Sequence, residues 1–174
     1  MEIFYGPDFK IEEDCVVAFG KFDGLHEGHL RLIRELCGIA KEKGLKSVIY
    51  TFDRNPRAFL SGVELAQLMS MEKKNAVLSE LGVDVVVYER FDEKFSNISP
   101  EEFVREVLLK KLSMKGVVMG SNSNFGKDGL GDLSLMKFFG EKYDFFVKEV
   151  ELLYKEGVLL SSTNIRSGNL SKLG

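Results

Sequence analysis

The chain has 174 residues and an ordinary globular composition, since 44% of its residues are hydrophobic and 29% are charged. This length suffices for one domain with its own hydrophobic core, without disulfides or metals to stabilise it. The 24 basic and 27 acidic residues give a net charge of −3, which does not favour a nucleic-acid binder.

The cysteines and the N-terminal residues bear on where the protein works. Cys15 and Cys37 lie far in the sequence from the two histidines, so they do not suggest a zinc site, and they suit a reducing compartment. The sequence begins with no basic and apolar signal segment, and no apolar run approaches the roughly 20 residues of a membrane span. We therefore expect a cytoplasmic protein that binds neither membrane nor nucleic acid.

Apolar strands alternate with amphipathic helices along the chain. The first helical pattern begins near Leu30 and ends at Gly44, a residue that commonly terminates helices. Another helix start is predicted at Ser99, which is followed by a proline and by a glutamate three residues on. In chain order we predict a strand over 16–20, a helix over 30–43, a strand over 47–52, a helix over 72–81, a strand over 83–88, a helix over 100–112, a strand over 115–120, a helix over 133–142 and a strand over 145–150.

Repeated strand–helix units of this length predict an α/β fold. We expect a Rossmann-like, doubly wound parallel sheet of about five strands, covered by helices on both faces. In such sheets ligands bind at the carboxyl ends of the strands. Three loops are predicted to lie there, namely residues 20–29, 53–57 and 121–131. These loops should therefore meet around one ligand site.

The loop between the first predicted strand and helix contains both histidines of the sequence, His26 and His29, within GKFDGLHEGH. Backbone N–H groups and the helix dipole attract an anion at such a helix N-terminus. Gly28, between the imidazoles, allows the backbone to approach a phosphate closely. Two imidazole donors suit nucleotidyl transfer, because charge develops there on the α-phosphate of a nucleoside triphosphate. The alternative is that the histidines only cap and pack the helix; two histidines without a third ligand do not complete a zinc site.

Four segments together resemble the FMN adenylyltransferase module of bacterial FAD synthetases, within the HxGH nucleotidyltransferase superfamily. GKFDGLHEGH is similar to the family's HxGH loop, and TFDRNPR at 51–57 to its TFxPHPR turn. GSNSNFGKDGLG at 120–131 is similar to its GxDFRFGxxxxG loop, and LSSTNIR at 160–166 to its ISSTxIR segment. The order and spacing of the four segments cover almost the whole chain, which makes chance similarity improbable.

The resemblance implies an FAD synthetase, which transfers AMP from ATP to FMN, with Mg²⁺ accompanying ATP, and gives FAD and pyrophosphate. It implies that His26 and His29 stabilise the reacting phosphates, and that Arg166 holds the outgoing pyrophosphate; these three are the candidate catalytic residues. The candidate ATP-binding residues are Gly20, Phe22, Asp23, Gly28, Ser162 and Thr163. The candidate flavin-side residues are Asn55, Pro56, Arg57, Asn122 and Asn124. The sequence identifies no metal ligands.

Departures from the family pattern leave alternatives open. Asn55 stands where the family usually has histidine, and Ser123 and Asn124 replace a Phe-Arg pair. Family members commonly continue into a β-barrel riboflavin kinase domain, whereas we expect residues 1–174 to form a single FMN adenylyltransferase domain. FMN would then come from a separate riboflavin kinase or from a kinase domain of a longer protein. The alternatives are an HxGH adenylyltransferase for nicotinate mononucleotide or phosphopantetheine, and a catalytically weak flavin- or nucleotide-binding module.

Overall fold

The computed structural model describes residues 1–62, 69–151, 154–155 and 158–159. Six parallel strands form its central sheet, and a short antiparallel pair follows them. The strands are β1 (Glu2–Tyr5), β2 (Cys15–Phe19), β3 (Lys46–Phe52), β4 (Val85–Glu89), β5 (Met114–Gly120) and β6 (Phe146–Val150), with β7 (Tyr154–Lys155) and β8 (Val158–Leu159) in the pair.

The strand order in the sheet is β1-β4-β3-β2-β5-β6, so β2 is central. Val17 of β2 lies opposite Val48 of β3 on one side and Val117 of β5 on the other. The chain first builds the sheet outward from β2 through β3 and β4, then returns to the other side of β2 with β5. The loops that leave β2 and β5 therefore diverge and open a crevice at the carboxyl edge, the usual ligand position in a doubly wound sheet.

Helices follow the strands and cover both faces of the sheet. The first helix ends at Gly44 with φ of 68°, as the sequence predicts. The Ser99 hydroxyl accepts a hydrogen bond from the Glu102 N–H, which confirms the predicted helix start. The helices are α1 (Glu27–Lys43), α2 (Pro56–Ser61), α3 (Met71–Glu80), α4 (Glu93–Ser96), α5 (Pro100–Glu102), which continues as a π-helical segment (Phe103–Lys111), a 3₁₀ turn (Lys127–Gly129) and α6 (Leu133–Tyr143).

Alternate strand residues face two separate hydrophobic cores, because successive side chains of a strand point to opposite faces. One core packs the sheet against the π-helical segment and α6; the other packs it against α1 and α3. In β2, for example, Val17 belongs to the first core, whereas Val16 and Ala18 belong to the second. The expected arrangement of a parallel sheet between two helical layers is confirmed.

The expected strand count of about five is one too low. The additional strand is β1, which pairs at the sheet edge with β4 and places Ile3 opposite Val86. Its four residues are at most half-buried, and Tyr5 is 60% exposed, so no alternation long enough to predict a strand is present. The turn expected over 53–57 is also different, since α2 begins at Pro56.

Candidate active site

A cavity of about 750 Å³ lies at the carboxyl edge of the sheet, within the size range of small-molecule sites. Residues that follow β2, β3, β4, β5 and β6 line it, so the three loops predicted to meet there do so. The predicted residues on its wall are Gly20, Phe22, His26, Gly28, His29, Pro56, Asn122 and Asn124. The fold thus brings candidate residues of both the ATP-binding group and the flavin-side group together around one cavity.

The histidine loop, residues 20–29, is shaped by two buried side chains with unusual backbone angles. Phe22 and Leu25 have φ of 48° and 43°, in the left-handed region that non-glycine residues rarely adopt. Phe22 is only 2% exposed and Leu25 is also buried, so burial of these side chains offsets the cost of the backbone conformation. The ring of Phe22 packs against His29 and also lines the cavity, and its assignment as an ATP-binding residue stays a prediction.

His26 both caps α1 and presents a proton donor. Its Nδ1 accepts a hydrogen bond from the Gly28 N–H at 3.1 Å, which satisfies one of the unpaired donors at the helix start. Burial lowers the pKa of His26 below its ordinary value of 6.5, so the ring is neutral at pH 7. Because Nδ1 is an acceptor, the proton of the neutral ring lies on Nε2.

His29 stacks on His26, with ring centroids 3.8 Å apart and planes 20° apart, and also contacts Phe22. Burial is the main cause that lowers the pKa of His29 to about 3, with smaller contributions from the nearby basic groups His26, Lys74 and Lys21. Within the described residues, the buried Nδ1 of His29 has no hydrogen-bond partner. Two stacked neutral rings thus stand at a helix N-terminus, where they can donate to an anion without repelling each other.

Part of the cavity wall is aromatic. The rings pack edge to face or tilted, with centroids of neighbouring pairs between 5.3 and 6.2 Å apart. These phenylalanines were not assigned to the site from the sequence, although Phe52 ends one predicted strand and Phe91 follows another, which could have placed them at the carboxyl edge. The wall is formed by Phe19, Phe52, Phe91, Phe95, Phe103 and Phe125.

The glycine-rich loop after β5 is a small closed hairpin. Phe125 and Gly131 exchange both backbone hydrogen bonds, at 3.0 and 2.8 Å. A Cβ on Gly131 would lie 2.6 Å from the Phe125 ring, so a glycine is required for this approach. The hairpin places Asn122 and Asn124 on the cavity wall beside the aromatic residues.

The remaining predicted site residues either do not line the cavity or lie outside the described residues. The Asn55 side-chain oxygen accepts a hydrogen bond from the Ala58 N–H at 3.3 Å and so supports the start of α2. Asp23 is half-buried in the histidine loop and does not line the cavity. The Arg57 side chain, Ser162, Thr163 and Arg166 lie outside the described residues.

No dedicated metal centre is formed by the part of the chain that the structure describes, where no three histidine, cysteine or carboxylate side chains converge. Asp53 accepts a hydrogen bond from the Phe91 N–H and pairs with Arg54. These contacts connect the segments after β3 and β4. Across the same described ranges, no helix is long and apolar enough to cross a membrane.

The doubly wound sheet and the histidine-bearing loop at its carboxyl edge define an α/β protein of the HxGH type. The family model for FAD synthetase matches residues 8–164. The chain therefore belongs to the FAD synthetase family, and the family resemblance found in the sequence is confirmed.

Individual relatives agree with this membership. The bifunctional riboflavin kinase/FMN adenylyltransferase of Buchnera aphidicola subsp. Schizaphis graminum is 35% identical over 159 residues, which cover 90% of this chain and 51% of that protein. The chain thus spans about half the length of the curated relatives it matches.

Solved structures also resemble the chain. A Streptococcus pneumoniae crystal structure, described as a macrolide-efflux protein, has a TM-score of 0.80 and 27% identity over 94% of this chain and 53% of its own. Pantoate-beta-alanine ligase from Francisella tularensis has a TM-score of 0.58 and 17% identity over 92% of this chain and 72% of its own, a likeness of fold alone.

Proposed function

We propose that the chain is an FMN adenylyltransferase that makes FAD and pyrophosphate from ATP and FMN. The observation that carries the proposal is the stacked pair of neutral imidazoles at the N-terminus of α1, on one wall of the cavity. Family membership and the name of the Buchnera relative support the choice of reaction. The aromatic wall of the same cavity supports a flat, aromatic acceptor such as a flavin.

In this reaction a phosphate oxygen of FMN forms a bond to the α-phosphorus of ATP, and the bond from that phosphorus to the bridging oxygen breaks. The bonding electron pair leaves with pyrophosphate. The FMN phosphate is already ionised at neutral pH, so the protein needs no strong general base. Its contribution is to position the two phosphates in line and to stabilise the charge that develops between them.

The histidine loop is suited to that stabilisation. The Nε2–H of His26 and the imidazole of His29 would donate hydrogen bonds to oxygens of the α-phosphate, beside the positive end of the α1 dipole. Because both rings are neutral before substrate binds, they act as hydrogen-bond donors and not as counter-charges. We further propose that Ser162, Thr163 and Arg166 bind the outer phosphates, on the strength of their family pattern.

Magnesium would accompany ATP and neutralise charge on its phosphates. The described residues do not provide a set of side chains that fits a resident magnesium site, and we assign the ion to no protein ligand. We also propose a cytoplasmic location, which the two free cysteines support. The supply of FMN would come from a riboflavin kinase, on a separate protein or on a further domain of a longer one.

The test is a comparison of acceptors with the purified chain. With ATP and Mg²⁺, FMN should yield FAD and an equal amount of pyrophosphate, measured by chromatography and by a coupled pyrophosphate assay. Nicotinate mononucleotide and phosphopantetheine should yield no pyrophosphate. Preference for either of these acceptors would refute the flavin assignment, and FMN binding without product would indicate a binding module.

A further inference from the structure

Lys74 is a buried cation that the mechanism above does not use. It projects from α3, and only 8% of its surface is exposed. Its Nζ donates a hydrogen bond to the Lys21 backbone carbonyl at 3.4 Å and lies 6.0 Å from the Tyr88 ring centroid. In the described parts of the chain, no carboxylate pairs with it. Burying an unpaired charge is costly, so the presence of a buried lysine at this position calls for an explanation.

The hydrogen bond of Lys74 connects α3 to the histidine loop. Lys21 lies in that loop and lines the cavity, and its carbonyl also accepts a hydrogen bond from the Thr51 hydroxyl at 2.9 Å. The Thr51 hydroxyl on β3 and the Lys74 ammonium on α3 therefore both hold the Lys21 peptide unit in place. The position of this peptide sets the position of the loop that bears both imidazoles.

The charge of Lys74 also reaches the site. It is one of the positive groups that lower the pKa of His29, which places its field at that imidazole. Burial lowers the pKa of Lys74 itself to about 8, so most molecules keep the ammonium charged at pH 7. An anion bound against the imidazoles would lie in the same field, in a region partly shielded from water.

We propose that Lys74 is a positioning residue for adenylyl transfer, which holds the histidine loop through the Lys21 carbonyl and supplies a buried positive charge that the bound triphosphate balances. The proposal rests on the proposed function, because it requires a polyphosphate beside the histidines. A purely structural lysine would support the fold alone. If Lys74 is a positioning residue, its replacement must also change the kinetic constants for ATP more than those for FMN.

Four variants separate charge, hydrogen bond and fold. Lys74→Gln keeps a donor for the Lys21 carbonyl but removes the charge, whereas Lys74→Arg keeps the charge. Thr51→Val removes the neighbouring hydrogen bond and leaves the charge in place. The matched control is Lys73→Gln, since Lys73 is exposed on the same helix and the same charge is removed.

Steady-state kinetics should show a loss specific to ATP. We expect Lys74→Gln to lower kcat/KM for ATP about tenfold or more, the order expected for a unit charge across a partly buried distance. KM for FMN should stay within about twofold, Lys74→Arg should recover much of the loss, and Lys73→Gln should behave as the wild type. Equal effects of Lys74→Gln and Lys73→Gln, or an equal loss for ATP and FMN, would overturn the proposal.

A second measurement needs neither substrate nor turnover. The groups that face the His29 ring with charge are His26, Lys21 and Lys74, so removal of the Lys74 charge should raise the pKa of His29. NMR titration of the two histidines in Lys74→Gln and Lys73→Gln measures this shift. An unchanged pKa of His29 would refute the proposed field at the site. If the wild type makes no FAD but this shift is observed, the proposed function fails and the field of Lys74 at His29 stands.

Discussion

Replacement of His26 by asparagine should separate the two roles of this imidazole. The Nδ1 atom of His26 caps α1 by accepting the Gly28 N–H, and asparagine is among the residues preferred at this position for the same hydrogen bond. Asparagine does not place a donor where the imidazole Nε2–H lies. We therefore expect His26→Asn to fold with normal stability and to lose turnover, whereas His26→Ala should lose both.

The magnitudes follow from the two contacts. Loss of the cap in His26→Ala costs about 1 kcal/mol. In a chain of 174 residues this corresponds to a decrease in Tm of about 2–4 °C. Loss of one preorganised donor to a transition-state oxygen costs roughly a hundredfold to a thousandfold in kcat. Both variants should therefore share the loss of kcat, and only the alanine variant should show the decrease in Tm.

Two assays decide the result: FAD formation at saturating ATP and FMN, and thermal unfolding without ligand. Wild-type turnover in His26→Asn would refute the assignment of Nε2–H as a catalytic donor. Equal Tm values for the asparagine and alanine variants would refute the contribution of the cap. If His26→Ala showed a decrease in Tm without any loss of kcat, helix capping, the alternative stated in the sequence analysis, would be the only role of His26.

Three further predictions concern pH, the flavin wall and the outer phosphates. Because the pKa of His29 is lowered from 6.5 to about 3, only the unfolded chain takes up a proton between these values. The contribution of His29 to the free energy of unfolding should be complete above pH 6.5 and fall as pH decreases toward 3, by at most about 1.4 kcal/mol per pH unit. In His29→Asn the free energy of unfolding, measured by urea denaturation at each pH, should therefore change less with pH than in the wild type. An unchanged pH dependence would contradict the burial of a neutral ring. Gly131→Ala should displace the Phe125 ring into the cavity and raise KM for FMN several-fold with little change for ATP, whereas Gly38→Ala, whose Cβ meets no atom within 4 Å, should leave both KM values unchanged. Arg166→Ala should weaken binding of ATP and pyrophosphate much more than binding of FMN, measured by calorimetry; equal losses would indicate a structural role.

Local sequence patterns determined the fold class because they depend on neighbours along the chain. Short apolar runs between helical patterns predicted five of the six sheet strands, and capping signals at Ser99 and Gly44 marked a helix start and a helix end that the structure confirms. The HxGH loop could also be predicted from the sequence, since both histidines, the glycine between them and the helix start lie within ten residues, 20–29. Because parallel strands have their carboxyl ends at the same edge of the sheet, the meeting of three loops there could also be predicted.

The environment of each site residue was decided only by tertiary structure. The neutral state of His29 depends on burial against Phe22 and on charge from Lys74, which contacts the loop across 53 positions in sequence. The aromatic wall gathers side chains that end or follow four different strands, and no single local period relates them. The edge strand β1 exists because β4 offers it a hydrogen-bonding partner. Such contacts depend on strand register and helix packing, and these are set by the free energy of the whole core and not by adjacent residues.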